Sequence, residues 1–354
     1  MGGLSDAPNT HTGEILGDIS KENIMRTVLL FGMPRSGTTW LGKIFDSHPD
    51  TLYRHEPDSR GTLNTLPMLP IESDVEKHRS FLLDYVAKLP AIRDEKISAS
   101  LPIFTKNYYT VPQLALRKLL VYGFKMASRL LGSLRVPDVI NASKQPHLTL
   151  VWKSIESLAR LGVLARVFPE ARCILILRHP CGYVASVLRG EAKLQFESTT
   201  SSSEDWCIYQ RLVESPAGRA RGMTLAQVKN LSPVERLALL WGLYYEHALV
   251  ACAGLNNVLT VRYEDFCEHP LQESQKAFAH CHLPWAPETE VFIVRSTAQE
   301  NSAYYSVFKD PKTAASNWQR QLSGEEIRQI LQVTSCFAAG NYYSPEASAA
   351  LSPA

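Results

Sequence analysis

The residues best placed to do chemistry lie at 28–41, VLLFGMPRSGTTWL: an apolar run, a glycine-containing turn and the start of a helix. Such a turn cradles an anion. Its glycines let backbone N–H groups close around phosphate oxygens, and the helix aims its positive end at them. Gly32 to Gly37 followed by Thr38-Thr39 reproduces the spacing of the nucleoside-triphosphate loop G-x-x-x-x-G-K-[ST], with one change. Thr38 stands where the lysine belongs, and the only cation in the loop is Arg35. The group that reaches the β- and γ-phosphates is therefore missing, and the loop is expected to hold something smaller than a triphosphate with its metal. Contacts are expected from Arg35, Ser36, Gly37, Thr38, Thr39 and Trp40. A second constellation is Arg178-His179-Pro180, with Ser186 eight residues beyond Arg178. Pro180 is placed to open a helix, where its missing N–H costs nothing. Ser186 then falls about two turns in, near the face of Pro180 and Tyr183. A guanidinium fork and a hydroxyl together suit one phosphate monoester.

These two segments resemble the sulfotransferase family. Pro34-Arg-Ser-Gly-Thr-Thr-Trp-Leu41 resembles its 5′-phosphosulfate loop, and Arg178 with Ser186 its 3′-phosphate site. The resemblance implies the donor 3′-phosphoadenosine 5′-phosphosulfate (PAPS), a hydroxyl-bearing acceptor and no required metal. Asp46-Ser-His-Pro-Asp50 followed by Glu56-Pro57 resembles the carbohydrate and tyrosylprotein branches. In those relatives a glutamate so placed is the general base. His55 is the rival base, the role a histidine fills in the cytosolic small-molecule branch. In an extended segment His55 and Glu56 point to opposite faces, so only one serves. Lys153 in Val151-Trp-Lys-Ser154 matches a lysine that neutralises the sulfuryl oxygens and leaving phosphate, a task shared here with Arg35. Positioning and charge dominate such transfers. Tyr263 in Val261-Arg-Tyr-Glu-Asp265 resembles a tyrosine that contacts the donor. Lys309…Trp318 resembles the late segment that closes over the nucleotide, with Lys312 as the alternative register. Trp40 or Trp318 is expected to wall the adenine. Acceptors rank as a sugar hydroxyl or glycolipid, then a small-molecule alcohol or phenol, or a peptidyl tyrosine. A nucleotide kinase or NTPase is the rival from the same fold class, and a non-catalytic nucleotide-binding scaffold the rival from another class.

Elements must bring these residues together. Thr27–Phe31, Ala171–Leu177, Val258–Tyr263 and Leu148–Trp152 read as interior strands, with helical patterns at Ser154–Val167, Cys181–Arg189 and Val234–Ala253. Strands alternating with helices predict a P-loop-type doubly wound α/β parallel sheet, whose ligands sit beyond the carboxyl ends of the strands. Residues 1–22 read as a flexible tail and 23–345 as one domain. Within it, 57–147 reads as an acceptor-side insertion with an amphipathic stretch at Ser80–Leu89, and 191–231 as a loop-rich insertion.

The basic, leucine-rich stretch Leu114–Leu134 suits a membrane surface, an anionic acceptor or a half-buried lid helix. The chain has 354 residues and a formal net charge of +2, which argues against a general nucleic-acid binder. Seven cysteines without C-x-x-C pairs and an N-terminus without signal-peptide order point to a cytoplasmic protein with no transmembrane anchor. The most apolar helical stretch, Leu237–Leu255, carries Glu246 and His247 and reads as a core helix. Cys267, His269, His280, Cys281 and His282 match no zinc spacing.

Overall fold

The computed structural model describes residues 25–59, 61–141, 145, 147–192, 201–298 and 311–344. Five strands form one parallel sheet: β1 (Thr27–Gly32), β2 (Thr51–His55), β3 (Thr149–Ser154), β4 (Arg172–Leu177) and β5 (Val258–Arg262). Their order is β2-β3-β1-β4-β5. The chain thus builds outward from β1 to both sides, and the crevice at the carboxyl ends beside β1 is the place where such sheets bind ligands.

The strands alternate between two cores. Leu29, Phe31, Leu150, Trp152, Cys173 and Leu175 face one; Val28, Leu30, Val151, Ile174 and Ile176 face the other. Because both faces are covered, the central strands are apolar over Val28–Phe31, Leu150–Trp152 and Cys173–Leu177, which makes them readable as hydrophobic runs.

The helices in chain order are α1 (Thr38–Ser47), α2 (Asp74–Lys88), α3 (Glu95–Ser98), α4 (Val111–Leu131), α5 (Leu161–Val167) and α6 (Pro180–Ala192). Then come α7 (Trp206–Val213), α8 (Pro216–Ala220), α9 (Leu225–Lys229) and α10 (Pro233–Cys252). After β5 follow α11 (Tyr263–Glu268), α12 (Pro270–His280), α13 (Pro287–Ala298), α14 (Pro311–Ser316), α15 (Trp318–Gln321) and α16 (Gly324–Thr334). The apolar stretch read as a core helix is α10, which opens on a reciprocal cap. Ser232 N–H donates to Glu235 (2.7 Å) and Glu235 N–H to Ser232 Oγ (3.4 Å).

Three sequence expectations are corrected. The strand β2 was not anticipated. The helix expected over Ser154–Val167 starts only at Leu161, after a 3₁₀ turn at Leu158–Arg160. Ser154 Oγ accepts from the N–H groups of Glu156 (3.1 Å) and Ser157 (3.0 Å), a local turn that competes with helix. The insertion 191–231 is helical rather than loop-rich over most of its described part. Asp205, Ser215 and Thr224 each accept from a first-turn N–H and open α7, α8 and α9. The tail over 1–22 and residues 193–200 lie outside the described residues.

Candidate active site

The turn after β1 is held from below. Met33 N–H donates to Tyr245 Oη (3.4 Å), and that hydroxyl donates to Ile176 O (2.7 Å). Ser36 is fully buried, and its hydroxyl donates to Met33 O (2.6 Å), so this side chain ties the loop to itself. Arg35 and Gly37 both take left-handed backbone angles, φ 71° and 87°. A non-glycine residue in that region is uncommon and gathers at functional sites. Gly37 is needed twice over, because a Cβ there would stand 2.2 Å from Tyr263 Cδ2. Helix α1 then starts with no side-chain cap and no acidic residue in its first turn. The N–H groups of Thr38, Thr39 and Trp40 therefore face the crevice as donors with no partner inside the helix.

On the β4 side of this loop two guanidinium groups and a hydroxyl meet. Arg35 Nε donates to the buried Ser186 Oγ (3.0 Å). Arg178 donates through Nη1 to Arg35 O and through Nη2 to Ala314 O (3.1 Å), and its guanidinium lies 4.9 Å from the Tyr263 ring centre. Trp241 Nε1 donates to Arg178 O (3.0 Å) and fixes the strand end. Arg178 Nε is buried without a hydrogen-bond partner among the described residues. A buried donor left open on a cation suits an anionic ligand. The Arg35 side chain thus reaches Ser186, and its backbone carbonyl is held by Arg178.

Trp318, at the start of α15, stacks on His179 with ring centres 4.5 Å apart and planes 10° apart. His179 Nδ1 accepts from Cys181 N–H (3.2 Å), while burial and the Arg178 charge lower its pKa to about 4. Its imidazole is thus neutral near pH 7 and offers a flat wall. Glu264 accepts from His179 N–H (3.0 Å) and the Tyr343 hydroxyl (3.0 Å), and burial raises its pKa. Trp40 lies further round, its ring 6.4 Å from Tyr263 and its Nε1 donating to Ser296 Oγ (3.0 Å). Lys309 lies outside the described residues. His179 was not singled out from sequence. Its signal was its place between the strand-end arginine and the helix-opening proline.

On the β3 side stand the candidate base and its neighbour. His55 pairs with Lys153 across β2 and β3, and Glu56 N–H donates to Lys153 O (2.8 Å). Glu56 is not extended. Its φ of 49° turns the side chain back, so its Oε1 accepts from Lys153 Nζ and lies 3.8 Å from His55 Nε2. The expectation of opposite faces fails for this reason: both candidate bases converge on one point. Lys153 is 1% exposed, and burial pulls its ammonium below the ordinary value, opposed by the Glu56 charge. His55 Nδ1 shares a hydrogen bond with Tyr53 Oη (2.9 Å), and burial with the Lys153 and Lys43 charges holds its pKa well below 6.5. Beneath them the buried Asp58 accepts from Trp152 Nε1 and the hydroxyls of Ser154 and Ser157, locking the segment after Glu56 to the end of β3. Sequence reading missed Asp58, whose only signal was its closeness to Glu56.

A model of the sulfotransferase family (Sulfotransfer_3) matches residues 27–287, which take in β1 through β5 and Arg35, Glu56, Lys153, Arg178 and Ser186, while Trp318 lies beyond it. The chain belongs to the sulfotransferase family. No curated protein matches it. Among solved structures, it is similar to the sulfotransferase domain from the curacin biosynthetic pathway at 13% identity, covering 88% of this chain and 98% of that one, TM-score 0.42. It is similar to mouse sulfotransferase SULT7A1 complexed with PAP at 12% identity, covering 94% and 93%, TM-score 0.42. Sulfotransferase STF9 from Mycobacterium avium is 17% identical, covering 90% and 78%, TM-score 0.36. Among the described residues no helix is long and apolar enough to cross a membrane, and no three His, Cys, Asp or Glu side chains gather as metal ligands.

Proposed function

We propose that this sulfotransferase moves the sulfuryl group of PAPS to an acceptor hydroxyl, with a sugar or glycolipid hydroxyl as the first candidate. The uncapped start of α1 and the left-handed turn at Arg35 and Gly37 hold the 5′-phosphosulfate. Arg178 and Ser186, with Arg35 between them, hold the 3′-phosphate, and Trp318 with His179 lines the base. Tyr263 supports the loop and the Arg178 guanidinium. In the transfer the acceptor oxygen bonds to sulfur, the bond from sulfur to the 5′-phosphate oxygen breaks, and the acceptor proton passes to Glu56. Lys153 shields the sulfuryl oxygens and the leaving phosphate.

The observation that carries this reading is the meeting of Glu56 and Lys153 at adjacent strand ends beside the open helix start. The base and the charge that must act together are thus in direct contact. His55 fits the base role less well: it is hydrogen-bonded to Tyr53, and its lowered pKa makes it a weak proton acceptor. The test is transfer of radiolabelled sulfate from PAPS to a panel of sugars, glycolipids, alcohols and phenols. Label on a hydroxyl of the panel is expected, highest on a sugar. Tight binding of the donor with no transfer to any member would overturn an enzymatic reading in favour of a nucleotide-binding scaffold.

A further inference from the structure

We propose that α4 seats this protein on an anionic bilayer surface. The helix is amphipathic the wrong way round for a lid. It buries only Arg117 and Val121, while Leu116, Leu119, Tyr122, Met126 and Leu130 are 47–88% exposed. These positions recur at spacings of three and four and so form one stripe along the helix. The buried side is fully anchored. Arg117 donates to Ser98 O (2.9 Å) and Pro137 O (3.3 Å), Lys125 pairs with Glu95 (3.1 Å), and Val121 packs with Ala99 and Val136. The apolar stripe is therefore held outward by a rigid mount rather than by fraying of the helix.

Charge identifies the occupant. Lys118 and Arg129 share one flank of the stripe and are exposed. Between Lys96 and Pro137 the chain carries no Asp or Glu to offset them. A second copy of the chain docking through the same face would set these like charges against each other. An anionic lipid surface instead attracts them while its acyl boundary takes the leucines. The two exposed cations Lys118 and Arg129 and the span of 21 residues fit a helix lying in the interface, in keeping with the absence of a membrane-crossing helix among the described residues. Because α3 packs against both β2 and α4, the helix lies toward the β2 edge of the sheet.

The full chain is tested by flotation with phosphatidylcholine vesicles and with mixed phosphatidylcholine–phosphatidylserine vesicles. Binding to the mixed vesicles that weakens with added salt is expected. Neutralising Lys118 and Arg129 together (K118Q/R129Q) is expected to weaken it roughly fivefold per charge removed, about twenty-fivefold in all. The variant L119E/M126E changes only exposed side chains; it is expected to stay folded by circular dichroism and to lose flotation. Wild-type protein that ignores the mixed vesicles at low salt would overturn the proposal. So would L119E/M126E that floats as wild type does. A concentration-dependent dimer abolished by L119E/M126E, without vesicle binding, would assign the face to a second copy instead. None of these readouts depends on donor binding or sulfate transfer, so the outcome is independent of the proposed reaction.

Discussion

Replacing Arg178 by alanine separates a residue that reads the 3′-phosphate from one that merely supports the loop. In the structure its two Nη groups are spent on Arg35 O and Ala314 O, its face rests on Tyr263, and its buried Nε is left without a partner among the described residues. A hydrogen bond from this cation to a phosphate is worth about 1.5–3 kcal/mol, hence roughly ten- to a hundredfold in affinity. Removing the side chain also frees Arg35 O and the end of α14, a loosening that weakens any nucleotide. Calorimetric titration with adenosine 3′,5′-bisphosphate and with adenosine 5′-monophosphate resolves the two effects. The bisphosphate is expected to lose about ten- to a hundredfold in R178A, and the monophosphate much less, because it has no 3′-phosphate to lose contact with. Equal weakening of both ligands would refute the assignment and leave Arg178 a structural tether. Arg178→Lys is expected to recover only part of the loss, since an ammonium lacks the fork that spans two acceptors.

Three further outcomes follow from the geometry. Gly37→Ala places a Cβ 2.2 Å from the half-buried Tyr263 ring at φ 87°; left-handed strain of about 1–2 kcal/mol and overpacking of about 1–3 kcal/mol are expected. Urea unfolding reads that loss, and an unchanged midpoint would contradict it. His179 titrates near 4 in the folded protein against 6.5 ordinarily. Between these values the unfolded chain binds the extra proton, so stability is lost as pH falls, by up to about 3 kcal/mol. His179→Phe, which keeps a flat ring against Trp318, is expected to flatten that part of the pH–stability curve; an equally steep curve would place the dependence elsewhere. Asp58→Asn is expected to cost about 1–3 kcal/mol, because three buried donors converge on that carboxylate. A wild-type thermal midpoint for D58N would exclude it.

The parts of the fold that were legible are those where burial acts on every residue. β1, β3 and β4 are covered on both faces and their apolar runs declare it, while the half-buried edge strand β5 shows through its β-branched Val258, Thr260 and Val261. β2 is an edge strand reading Thr51-Leu-Tyr-Arg-His55, and it hides because the polar Thr51 and Arg54 are buried beside Leu52 and Tyr53 and break the apolar run. Arg54 is 4% exposed only because three backbone carbonyls, of Tyr53, Leu89 and Pro90, accept its protons. Two of these belong to a segment thirty-odd residues away, so no local pattern announces them. The same holds for Lys43, Asp46 and Lys106. They form a buried cation–carboxylate–cation group, with Asp46 bonded to Lys43 at 2.7 Å and 3.2 Å from Lys106, that pins the insertion to α1. At the site, the spacing of Arg35, Gly37, Arg178 and Ser186 marked the cluster. The bend at Glu56 did not show, because a left-handed glutamate before a proline is set by tertiary contact with Lys153 and not by propensity.

The most direct test of the whole account is Glu56→Gln, assayed for labelled-sulfate transfer and for bisphosphate affinity on the same preparation. Glutamine keeps an oxygen to accept from Lys153 but cannot take the acceptor proton. Transfer is predicted to fall about 10²- to 10⁴-fold while affinity for adenosine 3′,5′-bisphosphate stays within about threefold of wild type. Near-normal transfer by E56Q would contradict the account and move the base to His55 or solvent.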